Sequence, residues 1–331
     1  MVVGAGAVGG VTAGLLAEAG HDVHVVCRHA DWAEKIRTQG LHVIGSRREV
    51  RIKLPAAAAA ADLQGSFDIA LMATKAPELP DAARALLPHL TPDAAVVSMQ
   101  NGFCEQALAE IVGSERTVGC VVGWGATLRS PAEVEMTSSG EFVIGTLDGS
   151  PHPKLESVRT MLAAIVPTVA TDNMTGHLYS KLIINSCITT LGVLCGQNLG
   201  EMLRMRRARE LFIGIIEEAV AVADGWGIHI EPYAGKLDYP RFVRGSGFAA
   251  DLRRHAFIRL MGFKYRKLKS SSLQSVLRGR KTEIDYLNGF ITEKGRRCGV
   301  PTPLNDALVR MVHEIEGGKR EITPKNFDDL P

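Results

Sequence analysis

No stretch of this 331-residue chain reads as a membrane span. The longest apolar run, Leu182 to Gly196, is interrupted by Asn185, Ser186, Thr189 and Thr190 and falls short of the roughly 20 residues that a bilayer requires; a buried helix is expected there. Cysteine is sparse: Cys27, Cys104, Cys120, Cys187, Cys195 and Cys298 form no Cys-x-x-Cys pair and have no histidine at ligand spacing. That argues against a disulfide framework or a metal site and for reduced thiols in a cytoplasmic compartment. Aromatic residues make up only 5% and the formal net charge is only +2, so no overall basic field suggests a nucleic-acid partner, and attraction to anions must come from local placement of Lys and Arg. Met1 runs into a glycine turn with no basic or apolar leader before it, so no targeting segment and no membrane partner are expected. Internal repeats and low-complexity linkers are also lacking, and the alanine run at 56–61 reads as a short helix or loop.

With 46% hydrophobic residues, the chain is long enough for one large or two ordinary domains. Its start, GAGAVGG at residues 4–10, is followed by a short apolar helix ending at Gly20 and by the strand-like HDVHVVCR. Strand, glycine turn, helix and strand make a βαβ unit, with a first strand cut short because only Met1, Val2 and Val3 precede the turn. In that setting Gly4, Gly6 and Gly9 fit G-x-G-x-x-G, and Ala7 and Val8 open the helix whose free N–H groups face a pyrophosphate. The second strand ends in Cys27, Arg28 and His29 rather than in an acidic residue. A cation there suits the 2′-phosphate of NADPH, whereas Asp31 nearby keeps NAD open.

FDIALMATKA and DAAVVSMQNGF each read as a buried strand ending in polar residues, Thr74 and Lys75 in one, Gln100, Asn101 and Gly102 in the other. Strand ends are where open α/β sheets place ligands. The Val-, Thr- and Gly-rich residues 116–146 are expected to form antiparallel strands closing the sheet edge. From about residue 174 the pattern becomes helical, with apolar-periodic runs at 175–196, 200–225 and 270–298 and a less regular cation-rich section at 229–268. The expected organisation is a nucleotide-binding domain over 1–172 and a helical substrate and catalytic domain over 173–331.

Two helical stretches carry chemistry. Lys181, Asn185 and Thr189 stand at i, i+4 and i+8, so they share one helix face, and a Lys accompanied by Asn and Thr suits a lined pocket better than open water. Ser271 and Glu283 are twelve residues apart. They can share a ligand only if it spans roughly 18 Å along a helix or if the chain folds back before the helix begins, and the second is expected. Glu283 could equally pair with Arg280 or Lys281.

GAGAVGG at the start, Lys75 after the fourth strand, QNG at 100–102, KLIIN at 181–185 and TEIDYLNG at 282–289 together resemble the ketopantoate reductase (2-dehydropantoate 2-reductase) family across essentially the whole chain. The resemblance implies an α/β fold, an N-terminal Rossmann domain with an all-helical C-terminal domain of the 6-phosphogluconate-dehydrogenase type, NADP(H) as cofactor, and catalysis in the cleft between the two. It implies Lys181 as general acid, Asn185 as its helper, Ser271 and Glu283 as substrate-binding residues, Lys75 and Asn101 on the cofactor side, and Arg28 at the 2′-phosphate; Glu283 counts among the catalytic residues as well, since it can accept from a substrate hydroxyl or hold Lys181 charged and aimed. Four positions depart from the family pattern: Thr189 and Leu268 stand where Asn is usual, Leu199 replaces the Asn of Asn-Gly-Glu with Asn198 displaced by one, and Ser275 replaces the Asp of Leu-Gln-Asp. Asn198 and Thr189 are then expected to line a substrate pocket with fewer polar groups. The function implied is NADPH-dependent reduction of ketopantoate to pantoate. Reduction of a different 2-oxo acid on the same fold, or a non-catalytic NADP(H) sensor, are the alternatives, and the helical half is the expected seat of any homodimer contact.

Overall fold

A computed structural model of the chain describes residues 1–45 and 49–331. It divides into two compact units, Met1–Gln100 with Cys104–Leu178, and Asn101–Phe103 with Tyr179–Pro331.

Among the described residues the first unit holds twelve strands: β1 (Val2–Val3), β2 (Val25–Val26), β3 (Leu41–Gly45), β4 (Val50–Ile52), β5 (Ala56–Ala57), β6 (Phe67–Met72), β7 (Leu90–Ser98), β8 (Thr117–Val122), β9 (Ala126–Ser130), β10 (Glu133–Met136), β11 (Phe142–Gly145) and β12 (Thr168–Ala170). Eight of them form one sheet in the order β12-β11-β8-β7-β6-β1-β2-β5. From β5 to β8 all neighbours run parallel, and β11 then pairs antiparallel with β8. The order reverses at β1, whose Val2 faces Val25 on one side and Leu71 on the other. That reversal is a topological switch point, where the crevice at the carboxyl ends of the strands takes a ligand. The carboxyl halves of β6 and β7 and the whole of β8 are buried on both faces, which is why they read as apolar runs.

Two expectations need correction. The run at 56–61 does end in a short helix, the 3-10 turn Ala60–Asp62, but Ala56 and Ala57 form the edge strand β5 beside β2. Residues 116–146 do not all close the main sheet: β9 and β10 leave it and join β3 and β4 in a second, four-stranded sheet. The cause is a helix too slim to be covered otherwise. On α1 (Ala7–Glu18), a Cβ added at Gly10 would lie 2.8 Å from Val134 and one at Gly14 2.4 Å from Val43. The two glycines, one turn apart, form a groove into which the second sheet lays its valines. Helices α2 (Ala30–Gln39), α3 (Leu79–Leu86), α4 (Glu105–Val112) and α5 (Leu155–Ala163) complete the unit.

The second unit is built on α6 (Met174–Cys195), the only helix among the described residues long and apolar enough to cross a membrane, with 83% of its most apolar window buried inside the protein. Tyr179 and Tyr239, both fully buried, pin its first half: the Tyr179 hydroxyl donates to the Ala219 carbonyl at 2.8 Å and the Tyr239 hydroxyl to the Ser180 carbonyl at 3.0 Å. Around it lie α7 (Leu199–Met202), α8 (Arg206–Trp226), α9 (Tyr239–Val243), α10 (Phe248–Lys264), α11 (Ser271–Leu277), α12 (Asn288–Cys298) and α13 (Pro303–Glu316). The run expected at 270–298 is thus a broken pair, α11 and α12. The irregular section at 229–268 contains the 17-residue helix α10, which its many cations hide from a periodicity reading.

Candidate functional site

The nucleotide cradle is assembled by three glycines with three different tasks. Gly4 has φ +104, and a Cβ there would lie 2.9 Å from the backbone of Ala73 and Thr74 at the end of β6; only glycine allows both the turn and that approach. At Gly9 a Cβ would meet the Gly4 carbonyl at 1.9 Å, so this position fastens α1 to the turn. Gly6 is the opposite case: nothing lies within 4 Å of an added Cβ, which leaves open space where α1 begins at Ala7 and Val8. Gly6 caps that helix without any side-chain hydrogen bond, and the first turn carries no acidic residue. Bare N–H groups and the partial positive charge of the helix end are therefore available to an anion. Close packing on one side and vacant room on the other fit a dinucleotide pyrophosphate.

Beside this turn, at the ends of β6 and β7, the Ser98 hydroxyl donates to Gln100 at 2.8 Å and the Gln100 amide to Thr74 at 3.3 Å. Lys75, next to Thr74, is exposed. Arg28 lies past β2, largely exposed, and its guanidinium donates to Glu78 at 2.6 Å. Any 2′-phosphate reaching Arg28 therefore meets a carboxylate already paired with it, a competitor that the spacing of the two residues did not reveal.

In the second unit, α6 is buried along nearly its whole length, and Lys181 and Asn185 are among its few half-buried positions. Asn185 Nδ2 donates to Asn101 Oδ1 at 3.4 Å. Asn101 thus belongs to the helical unit, beside the helix that carries Lys181. The reason is its neighbour. Phe103 stacks on Phe290 with centroids 4.8 Å apart and planes at 15°, and a tilted Trp226 lies 5.8 Å away; Lys294 caps the Trp226 ring at 4.5 Å. Gly102, with φ +91, passes so close that a Cβ would meet the Tyr286 carbonyl at 2.6 Å. The three-residue segment Asn101–Phe103 is held by an aromatic anchor and a glycine.

The other expected site residues lie on α6, at the starts of α7 and α11, and just before residues 284–286. The Thr189 hydroxyl donates to the Asn185 carbonyl at 2.8 Å on its own helix, a back-bond common for Thr in helices, so Thr189 is buried and the half-buried face passes through Ile188 instead. Asn198 caps α7: its side-chain oxygen accepts from the Glu201 N–H at 2.9 Å in a capping box. Ser271 is exposed at the start of α11, while the adjacent Ser270 and Ser272 are buried, and the Ser270 hydroxyl caps α11 by accepting from the Leu273 N–H at 3.1 Å. Ser271 does not precede its helix in a folded-back loop, as expected; it is the first residue of that helix. Glu283 is buried where the chain turns into residues 284–286, beside Thr282, whose N–H donates to Glu316 at 2.7 Å.

Sequence reasoning missed the network behind this helix. The Thr190 hydroxyl donates to Asn288 Oδ1 at 2.6 Å, Asn288 Nδ2 to Asn305 Oδ1 at 2.8 Å, and Asn305 Nδ2 to Glu218 Oε2 at 2.6 Å. Glu218 also accepts the Leu304 and Asn305 N–H groups at 2.8 and 2.9 Å, so one carboxylate closes the N-terminus of α13. Four helices are tied together through polar side chains, of which Thr190, Asn288 and Asn305 are buried and Glu218 half-buried. The only sequence signal was Asn288 inside TEIDYLNG. Among the described residues no group of three or more His, Cys, Asp or Glu is placed to hold a metal ion, and all six cysteines are free.

Comparison with known proteins agrees over both units. Residues 1–149 match the family profile of ketopantoate reductase PanE/ApbA, and residues 173–316 match the C-terminal profile of the same family. The 2-dehydropantoate 2-reductase of Pyrococcus horikoshii is 27% identical over 326 residues, covering 96% of this chain and 99% of its own, and that of Mesorhizobium japonicum is 27% identical over 337 residues, covering 95% and 96%. The crystal structure of a PanE/ApbA family ketopantoate reductase from Ralstonia eutropha superposes with a TM-score of 0.81 at 28% identity, covering 97% of this chain and 100% of the other. A ternary structure of D-mandelate dehydrogenase with NADH and anilino(oxo)acetate gives a TM-score of 0.82 at 24% identity, covering 96% and 99%, a likeness of fold.

Proposed function

The chain belongs to the ketopantoate reductase family and is an oxidoreductase of that family, and from that premise we propose that it reduces 2-dehydropantoate (ketopantoate) to pantoate with NADPH, Lys181 acting as general acid. The observation that carries this reading is the pairing on α6: Lys181 and Asn185, one turn apart on an otherwise buried apolar helix, with Asn101 brought to 3.4 Å from Asn185.

The family's nicotinamide dinucleotide fits the cradle of Gly4, Gly6, Ala7, Val8 and Gly9, where open space and bare helix N–H groups face an anion. When bound in its reduced form it supplies a hydride to the ketone carbon of the substrate. As negative charge gathers on the ketone oxygen, the Lys181 ammonium donates a proton to it; a positioned cation that both stabilises and protonates that oxygen acts where the barrier is highest. Lys181 is left neutral and regains its proton from solvent. Asn185 and Asn101 offer amide donors that hold the carbonyl in line, Ser271 contributes a hydroxyl donor for the substrate carboxylate, and Glu283 accepts from a substrate hydroxyl. Lys75 and Arg28 complement cofactor phosphates, Arg28 accounting for a preference for NADPH over NADH.

A second reading, a different 2-oxo acid, is favoured by the employment of the polar groups. The Thr189 hydroxyl is bonded to its own helix, the Asn198 oxygen caps α7, and Leu268 is apolar and exposed, which leaves fewer partners for a terminal hydroxyl. A site built around that hydroxyl rejects analogues lacking it by roughly 10⁴ or more. The deciding experiment follows loss of nicotinamide absorbance with ketopantoate and a panel of 2-oxo acids, for the wild type and Lys181→Ala. Ketopantoate is expected as a substrate, and Lys181→Ala is expected to lower kcat by about 10²–10⁴ without loosening NADPH. Ketopantoate inert beside an active analogue would move the assignment to the second reading, and a fully active Lys181→Ala would remove Lys181 as the acid.

A further inference from the structure

Glu283 is buried, yet it opens only the single turn of residues 284–286, too short an element to hold a carboxylate in place by itself. Support comes from the last turn of α13. The Glu316 carboxylate accepts the Thr282 N–H at 2.7 Å, and the Thr282 hydroxyl accepts the Ile284 N–H at 3.2 Å, so the residues on either side of Glu283 are tied. His313, one turn before Glu316 on the same helix, completes the strut. Its Nε2 lies 2.9 Å from Asp285 Oδ1 and its Nδ1 3.3 Å from Glu316 Oε2.

The chemistry of that bridge fixes the state of the ring. A carboxylate oxygen only accepts, so a ring nitrogen facing one must carry a hydrogen. Two carboxylates on two nitrogens therefore call for the doubly protonated, charged imidazole; a neutral ring serves one of them and turns a lone pair on the other. Its place favours the charge as well, because a cation in the last turn of a helix complements the negative end of the dipole. No second cation replaces it. Among the described residues His313 is the only ion-pair partner of Asp285 and of Glu316. Glu314, on the same helix, is engaged by Arg320, and on α12 Arg296 and Arg297 pair with Asp306 and Glu293. Arg280 and Lys281, just before the turn, are exposed and form no ion pair among the described residues.

Exposed pairs of this kind add little to stability, so the effect of the bridge is on position. The same turn also borders Asn101: a Cβ at Gly102 would meet the Tyr286 carbonyl at 2.6 Å, and Asn101 accepts from Asn185. One turn carries Glu283, abuts the segment that holds Asn101, and is fastened by His313 and Glu316.

We propose that His313, in its doubly protonated form, is a positioning residue that keeps the Glu283 carboxylate set to accept the substrate hydroxyl, so that the grip on that hydroxyl loosens as pH rises. The proposal rests on the reading of Glu283 given above. When the ring loses a proton, one of its two contacts opens, the strut on residues 282–285 slackens, and Glu283 samples positions that miss the hydroxyl. Proton donation by Lys181 is untouched, so the loss falls on KM and not on kcat.

Steady-state kinetics of the full-length enzyme with saturating NADPH test this, with ketopantoate and with 3,3-dimethyl-2-oxobutanoate, the same 2-oxo acid without the hydroxyl. Glu283→Gln is the reference and is expected to raise KM for ketopantoate about tenfold or more. His313→Gln is expected to raise it about three- to tenfold, with kcat within about twofold and KM for the analogue unchanged. Asp285→Asn, at an exposed position, should do the same. His313→Lys supplies a cation that stays charged: it should match the wild type at about pH 5.5, and at about pH 8.5, past the range in which histidine changes charge, the wild-type KM should be about three- to tenfold the higher. Unchanged urea midpoints and NADPH affinity would show that the variants are folded. Ketopantoate left unreduced, or a Glu283→Gln enzyme with wild-type KM, would remove the reading of Glu283 and the proposal with it. A raised KM in Glu283→Gln beside unchanged values in His313→Gln and Asp285→Asn would overturn the strut alone. So would an equal rise in KM for both acids, or a ratio of wild type to His313→Lys that is the same at both pH values.

Discussion

Asn185 and Asn101, 84 positions apart in sequence, share a hydrogen bond of 3.4 Å, and what brings them together is the Phe103 ring stacked 4.8 Å from Phe290. Asn101→Ala is expected to lower kcat about tenfold while costing about 0.5–1 kcal/mol of stability, the scale of one long, half-exposed hydrogen bond. Phe103→Ala should cost about 3–5 kcal/mol, as removal of a buried aromatic ring does, and Phe103→Leu much less. If Phe103 serves Asn101, Phe103→Leu will reproduce the kcat loss of Asn101→Ala with NADPH affinity unchanged; urea titrations beside steady-state kinetics separate the two effects.

Cofactor choice should respond to Glu78 as much as to Arg28. Their pair at 2.6 Å is exposed and worth little to stability, but its carboxylate opposes a 2′-phosphate. Glu78→Gln is expected to raise the preference for NADPH over NADH several-fold, and Arg28→Ala to reduce it by about 1–3 kcal/mol, the range for a charge-assisted hydrogen bond. Fluorescence titration with both cofactors measures it, and an unchanged ratio in both variants would remove Arg28 from the nucleotide site.

Asn288 sits at the centre of the network from Thr190 to Glu218 and is fully buried. Asn288→Ala strands the Thr190 hydroxyl and the Asn305 carbonyl oxygen, and about 2–5 kcal/mol should be lost. Asn288→Ala with Asn305→Ala should cost less than the sum of the two, since the second change removes a group that the first left unpaired. A double-mutant cycle in urea decides this.

Burial pushes the Cys27 thiol up to about 11, against a smaller opposing pull from Arg37, and burial does the same for Cys195. Reactivity follows the thiolate, so neither is expected to be alkylated at pH 8 in the native protein. The raised values also carry a sign for stability. Below the ordinary thiol range both states are protonated and the contribution is complete. It is lost as pH rises from about 8.5, where the unfolded chain ionises, through the folded value near 11. Urea midpoints should fall over that interval, and less so in a Cys27→Ala protein.

What could be read along the chain was whatever depends on near neighbours. G-x-G-x-x-G declares its turn because Gly4 takes a positive φ and Gly9 packs on the Gly4 carbonyl five residues before it, and the spacing of Lys181 and Asn185 puts them on one helix face through 3.6-residue periodicity alone. The two-unit α/β and helical architecture follows from the switch in hydrophobic period near residue 174. Tertiary structure decided the rest, because those outcomes turn on contacts between residues far apart in the chain. Gly10 and Gly14 are a groove only when Val134 and Val43 are laid into it, which is why β9 and β10 leave the main sheet. Asn101 goes to the helical unit because Phe103 finds Phe290, 187 positions away. Arg28 meets Glu78, Asn198 turns out to be a cap, and Asn288 becomes the hub of a buried network only once α6, α8, α12 and α13 are packed. Local pattern records which face a residue is on, and only packing determines what meets that face.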